Sequence, residues 1–184
     1  MWEFKFYSRG GQGAVTSSKI LINAAIIDGK FAQAIPSYGQ ERKGAPVYTY
    51  ARIDDKVIDV KSYVYRPNCV IVFDLGLREL GIDIYDGLRK DSIIVVNGDD
   101  KSKISHQNIK KTVMIKANEI TKEVIGENVP PNVAMLGAVA KATGCVAYES
   151  LEKAILAKIP GKEGELNAKA CRRAYEEASV YEEA

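Results

Sequence analysis

Trp2-Glu-Phe-Lys-Phe-Tyr-Ser-Arg-Gly-Gly-Gln-Gly13, followed by Ala14-Val-Thr-Ser-Ser-Lys-Ile-Leu-Ile-Asn-Ala-Ala-Ile-Ile-Asp28, is the stretch that decides the fold. Trp2 to Tyr7 alternates in side-chain character, the period of a strand. Ser8 to Gly13 is a turn rich in glycine. From Ala14 to Asp28 the apolar residues Val15, Ile20, Leu21, Ala24, Ala25 and Ile27 recur at helical spacing. Gly29 then supplies a residue free to adopt positive φ, which ends a helix.

Working outward, Phe31 to Ile35 reads as a second strand ended by Pro36, and Ser37 to Gly44 as a polar loop. Pro46 to Ile53 alternates, with Val47, Thr49, Ala51 and Ile53 on one face. Asp54-Asp55 reads as a hairpin turn and Val57 to Val60 as a returning strand. Cys69 to Phe73, Ser92 to Val96 and Thr112 to Ile115 are continuous apolar runs of strand length. Such runs suit strands covered on both faces, as in a parallel sheet. Asp74 opens a short helical stretch to Leu80. Asn118 is placed to cap a helix running to Ile125. Pro130-Pro131-Asn132 breaks the chain before a helix from Val133 to Thr143, stopped by Gly144. Two further helices, hinged near Pro160-Gly161, follow from Tyr148. Strands alternating with helices indicate an α/β fold. The expected form is a three-layer Rossmann-like domain with a mixed, mostly parallel sheet and C-terminal helices. The 46–60 hairpin would supply the antiparallel part. One domain is expected over residues 1–184, with a helical C-terminal extension from about residue 148.

Composition excludes several classes. With 46% hydrophobic and 27% charged residues over 184 positions, the chain is of ordinary globular composition. A formal net charge of +2 is too near balance to suggest nucleic acid or an anionic membrane as partner. The apolar runs are too short to span a bilayer. Residues 1–6 read as neither a signal nor a transit peptide, so a cytoplasmic location is expected. Cys69, Cys145 and Cys171 are far apart, and no C-x-x-C occurs. No iron–sulfur or zinc site is therefore expected on this chain. No catalytic residue and no metal ligand is assigned. His106, the one histidine, lies in a polar stretch and reads as a solvated loop residue.

Two loops carry the chemistry. Gly10-Gly11-Gln12-Gly13 lets the backbone turn tightly and approach a ligand. The amides and dipole of the following helix favour an anionic group such as a pyrophosphate. Thr16 and Ser17 in the first turn add hydroxyls. The spacing is not G-x-G-x-x-G, no acidic residue closes the second strand, and no P-loop is present. A tight turn without a ligand is the bland alternative. The second loop is Ser37-Tyr-Gly-Gln-Glu-Arg-Lys-Gly-Ala-Pro46. It sets Gln40, Glu41, Arg42 and Lys43 between two glycines, after Tyr38 and at the end of a strand, where ligands of open α/β sheets bind. Arg42 and Lys43 offer charge to phosphate or carboxylate. Its bland alternative is a solvated connection between strands.

Arg9-Gly-Gly-Gln-Gly13 and Pro36-Ser-Tyr-Gly-Gln-Glu-Arg-Lys-Gly-Ala-Pro46, in this order and separation, resemble the gamma subunit of 2-oxoacid:ferredoxin oxidoreductases of the pyruvate and branched-chain type. Pro131-Asn-Val-Ala-Met-Leu-Gly-Ala138 resembles a further stretch of that family. The resemblance implies oxidative decarboxylation of a 2-oxoacid to acyl-CoA with reduction of ferredoxin. It implies a shared coenzyme A site on this chain, with thiamine diphosphate, Mg and iron–sulfur clusters on partner subunits. Alpha, beta and delta chains are the implied partners, and ferredoxin is reached through the complex. Carried over by position, Gly10, Gly11, Gln12, Gly13 and Thr16 would line the coenzyme A phosphate region. Ser37, Tyr38, Gly39, Glu41, Arg42 and Gly44 would form the second loop, and Asn132 would cap the helix facing the site. Ser8 stands where many relatives have glycine, a departure expected to restrict the turn. The alternatives are an indolepyruvate oxidoreductase beta-type subunit, a structural assembly subunit without a ligand, and a free-standing nucleotide-binding enzyme.

Overall fold

The computed structural model describes residues 1–37 and 44–183. The strands are β1 (Trp2–Arg9), β2 (Phe31–Ser37), β3 (Pro46–Asp54), β4 (Cys69–Val72), β5 (Ser92–Asn97), β6 (Ile109–Ile115) and β7 (Ser179–Glu182). They form one seven-stranded sheet in the order β2-β3-β1-β4-β5-β6-β7. β1, β4, β5 and β6 pair in parallel. β3 runs antiparallel between β1 and β2, and β7 runs antiparallel on β6. β2 therefore points the same way as β1, and the sheet is mixed around a parallel core. Cys69, Val70, Ile71 and Val72 of β4 are all fully buried, because both faces of this central strand are covered.

One face carries all five α-helices: α1 (Ala14–Ile27), α2 (Ala117–Val124), α3 (Asn132–Thr143), α4 (Tyr148–Lys158) and α5 (Gly161–Glu177). Phe4, Phe6, Ile71, Val95 and Val113 meet them from the sheet. Val70, Val72, Ile94 and Val96 point to the opposite face, where Leu77, Ile84, Leu88 and Ile104 cover them. That third layer consists of the 3-10 helix Leu75–Leu80 and the irregular segments beside it. No helix among the described residues is long and apolar enough to cross a membrane.

The structure departs from the sequence reading at four places. Residues 57–60 form no strand. Both edges of β3 are already occupied, by β1 and β2, so no edge remains for a returning strand to pair with. The antiparallel pairings come instead from β3, which runs between β1 and β2, and from β7 on β6. β2 runs through Pro36 to Ser37, which an edge strand tolerates because its outer side needs no amide. α2 starts at Ala117, not after Asn118. The amide of Ala117 donates to Asn97 Oδ1 at 3.0 Å, so the end of β5 caps this helix. The chain also ends in a strand, β7, where helix alone was expected.

Candidate functional site

β1 delivers the glycine run to the carboxyl-end edge of the sheet, beside the end of β4. Gln12 folds back over this turn. Its Oε1 accepts from the Arg9 amide at 2.7 Å, and its own amide donates to the Arg9 carbonyl at 3.1 Å. Gly11 and Gly13 have φ of +91° and +78°, which L side chains rarely adopt. Gly13 is the N-cap of α1. Among the described residues no side chain caps that helix, and its first turn holds no acidic residue. The turn thus presents an anion-compatible helix end.

The second loop returns to the same place. Because β2 and β1 point the same way, Ser37 at the end of β2 lies at the edge where the glycine run begins. From the other side, the Gly10 amide donates to the Ala45 carbonyl at 2.8 Å, and the Gly44 amide donates to the Gly10 carbonyl at 3.3 Å. Gly44 has φ +85°. Tyr38, Gly39, Gln40, Glu41, Arg42 and Lys43 lie outside the described residues.

Asn132 is brought against the glycine run, but not as a cap. Pro131 occupies the N-cap position of α3, and Asn132 is its first residue. Its side chain instead fills the space over Gly13, where a Cβ would lie 2.7 Å from Asn132 Nδ2. Ser17 ties the two helices by donating to the Asn132 carbonyl at 3.0 Å. Thr16 lies beside it in the first turn of α1. Ser8 does not restrict the turn. It is the penultimate residue of β1, paired with Val47, and its hydroxyl donates to the Val47 carbonyl at 3.2 Å.

Five residues that sequence reasoning left out of the candidate site, Asp74, Asn97, Asp99, Lys103 and Asn118, lie at the neighbouring strand ends. β1's parallel neighbour is β4, and Asp74 follows its end. An acid therefore does stand beside the glycine run, although the inserted β2 and β3 hide this in the sequence. Both its oxygens are engaged, by Arg9 Nε at 2.6 Å and by the Gly76 amide at 2.8 Å. Asn97, at the end of β5, donates to the Phe73 carbonyl at 3.0 Å. Gln12, Asp74, Asn97, Asp99, Lys103 and Asn118 line a cavity of about 340 Å³ across these strand ends. Its acids are matched: Lys116 lies 3.0 Å from Asp99 and holds that carboxyl below its usual range. A second cavity, of about 390 Å³, lies on the non-helical sheet face over Lys5, Tyr7 and Tyr48. Its lysine already pairs with Asp86 at 2.9 Å, and none of its lining residues belongs to the first turn of an α-helix.

The glycines can be tested separately. A Cβ at position 11 meets nothing within 4 Å, so Gly11→Ala bears the backbone cost alone, about 1–2 kcal/mol. Gly13→Ala adds the collision with Asn132. It is expected to unfold at lower urea concentration than Gly11→Ala, and Asn132→Ala is expected to restore only part of the difference, because the Asn132 Cβ that alanine keeps lies 2.9 Å from the added methyl. Equal midpoints for the two glycine variants would show that the Asn132 contact does not constrain the turn.

The sequence profile of the pyruvate ferredoxin/flavodoxin oxidoreductase family matches residues 3–177. The chain is 44% identical to the pyruvate/ketoisovalerate oxidoreductases common subunit gamma of Pyrococcus abyssi, over 99% of this chain and all of the relative. It is 47% identical to pyruvate synthase subunit PorC of Methanocaldococcus jannaschii, over 96% and 97% of the two chains. Among solved structures, pyruvate oxidoreductase subunit PorC of Thermotoga maritima superposes with a TM-score of 0.82 at 34% identity, covering 98% of each chain.

Proposed function

The chain belongs to the pyruvate ferredoxin/flavodoxin oxidoreductase family, as a chain of the gamma-subunit kind, and from that we propose what its site does. It serves a cytoplasmic complex that oxidatively decarboxylates pyruvate or a branched-chain 2-oxoacid, reduces ferredoxin and passes the acyl group to coenzyme A. Its own part is to hold coenzyme A. The observation that carries this reading is the meeting of the uncapped α1 N-terminus with the Gly44 end of the second loop. An anionic cofactor tail lying there would meet the helix amides, and the sequence between Ser37 and Gly44 carries the cations Arg42 and Lys43.

The subunit's contribution is positioning. Holding a thiol in line with its reaction partner can supply several kcal/mol of barrier lowering, on the order of 7 kcal/mol in favourable cases. Thiamine diphosphate with Mg, bound on partner subunits, supplies carbanion stabilisation for the decarboxylation. Iron–sulfur clusters on alpha, beta or delta chains would supply the path for electrons to ferredoxin. Cys69, Cys145 and Cys171 do not fit a cluster. They are buried on separate elements, and burial pushes their thiols up, Cys145 to about 11. Among the described residues no group of three His, Cys, Asp or Glu could hold a metal ion.

The test is anaerobic purification of the tagged chain from its native host. Co-purifying chains that give coenzyme A-dependent dye reduction with a 2-oxoacid support the reading, and a lone chain overturns it. Within such a complex, Arg42→Ala is expected to raise KM for coenzyme A roughly tenfold or more, as loss of a charge-assisted hydrogen bond does, with thiamine binding intact. Unchanged coenzyme A dependence would remove Arg42 from the site.

A further inference from the structure

Arg9 ends β1 and faces the non-helical side of the sheet, the same side as Tyr7. Its Nε donates to Asp74 Oδ2 at 2.6 Å, and its Nη1 reaches the Gly44 carbonyl at 3.4 Å. Its backbone is held by Gln12 on both its amide and its carbonyl. One side chain therefore touches the loop after β4 and the end of the second loop, while its backbone belongs to the glycine run. The fit is close. A Cβ on Gly76 would lie 3.0 Å from Arg9 Nη2 and 2.9 Å from Asp74 Oδ1. Asp74 is itself braced by the Gly76 amide at 2.8 Å, so the carboxylate that aims the guanidinium is fixed before Arg9 reaches it.

The geometry points to Arg9 as a positioning residue: aimed by Asp74, it sets the placement of the Gly44 end of the second loop against the glycine run, and through it the affinity for coenzyme A. Arg9 spends its charge on Asp74, so it is not itself the ligand's counter-ion. A planar fork suits this task, because one guanidinium can serve a carboxylate and a carbonyl in different directions, and an ammonium is a point charge. This inference rests on the coenzyme A reading above.

The experiment uses the assembled complex with Arg9→Met, Arg9→Lys, Asp74→Asn and the double variant Arg9→Met/Asp74→Asn. KM for coenzyme A, KM for the 2-oxoacid and kcat are measured. Amide hydrogen exchange is followed at Gly10 and Gly44, whose amides join the two loops. The expected result for Arg9→Met is a tenfold or larger rise in KM for coenzyme A, with kcat and the 2-oxoacid KM within twofold. Exchange at Gly10 and Gly44 should be faster. Asp74→Asn should do the same, the double variant should be no worse than either alone, and Arg9→Lys should recover only part of the loss. Unchanged exchange with unchanged KM overturns the inference. Raised KM with unchanged exchange also overturns it, because Arg9 would then touch the ligand directly. Faster exchange with unchanged KM leaves the positioning role standing and overturns the coenzyme A reading instead. If Arg9→Met fails to assemble, Asp74→Asn decides by the same readouts.

Discussion

Glu3→Ala is expected to remove about 3–5 kcal/mol of folding stability, the cost of leaving a buried charge without its partner. Arg52 is only 2% exposed, and its Nε donates to Glu3 Oε1 at 2.8 Å. Arg89 reaches the other oxygen of the same carboxylate. The fork of Arg52 also donates to the carbonyls of Ser62 and Tyr63, at 2.6 and 3.1 Å, and so pins the segment after β3 across the sheet. Truncating Glu3 strands the Arg52 charge in a place water does not reach. Urea unfolding of the full chain reads the effect. Glu3→Leu/Arg52→Met should be markedly more stable than Glu3→Ala, since an apolar pair leaves no charge behind. It should still fall short of the unsubstituted protein, because the Ser62 and Tyr63 carbonyls lose their donor. A Glu3→Ala midpoint equal to that of the unsubstituted protein would show the network to be neutral.

Gly137→Ala is expected to cost roughly 2 kcal/mol or more despite improving the helix. Alanine gains about 1 kcal/mol over glycine in a helix interior. Overpacking a closed interface costs up to about 3 kcal/mol and sometimes more. Here a Cβ would lie 2.1 Å from the Cys171 carbonyl oxygen and 2.8 Å from the Tyr175 amide nitrogen. Both atoms belong to the backbone of α5, so the helices must part. α3 is buried along nearly its whole length, which leaves it no direction in which to shift. Cys171→Ala should not rescue the variant, because the colliding atom is not in that side chain. Thermal unfolding of both variants settles the matter, and a melting temperature within a degree of the unsubstituted protein would sink the account.

Much of this was legible without coordinates. The apolar runs at 69–73, 92–96 and 112–115 mark the parallel strands, because a strand covered on both faces has no polar alternation. The 14–28 periodicity marks α1, and Gly29 and Gly144 mark helix ends by their freedom at positive φ. The glycine run and Asn132 were both singled out in the sequence through their resemblance to the family. Their contact was not. Residues 13 and 132 meet because α1 and α3 lie side by side on one face of the sheet.

Periodicity and turn chemistry act over a few residues, so the sequence alone determined most of the strands and helices, and the order of its motifs pointed to a family. Which strand pairs with which is decided by the edges left free once others have paired. Tertiary structure therefore denied residues 57–60 a strand and recruited 179–182 as one. It also set Asp74 beside Arg9 across an interval of 65 positions, with the Gly44 carbonyl in reach of the same guanidinium. No local pattern carries that information, because the residues become neighbours only after β2 and β3 have folded to the other side of β1.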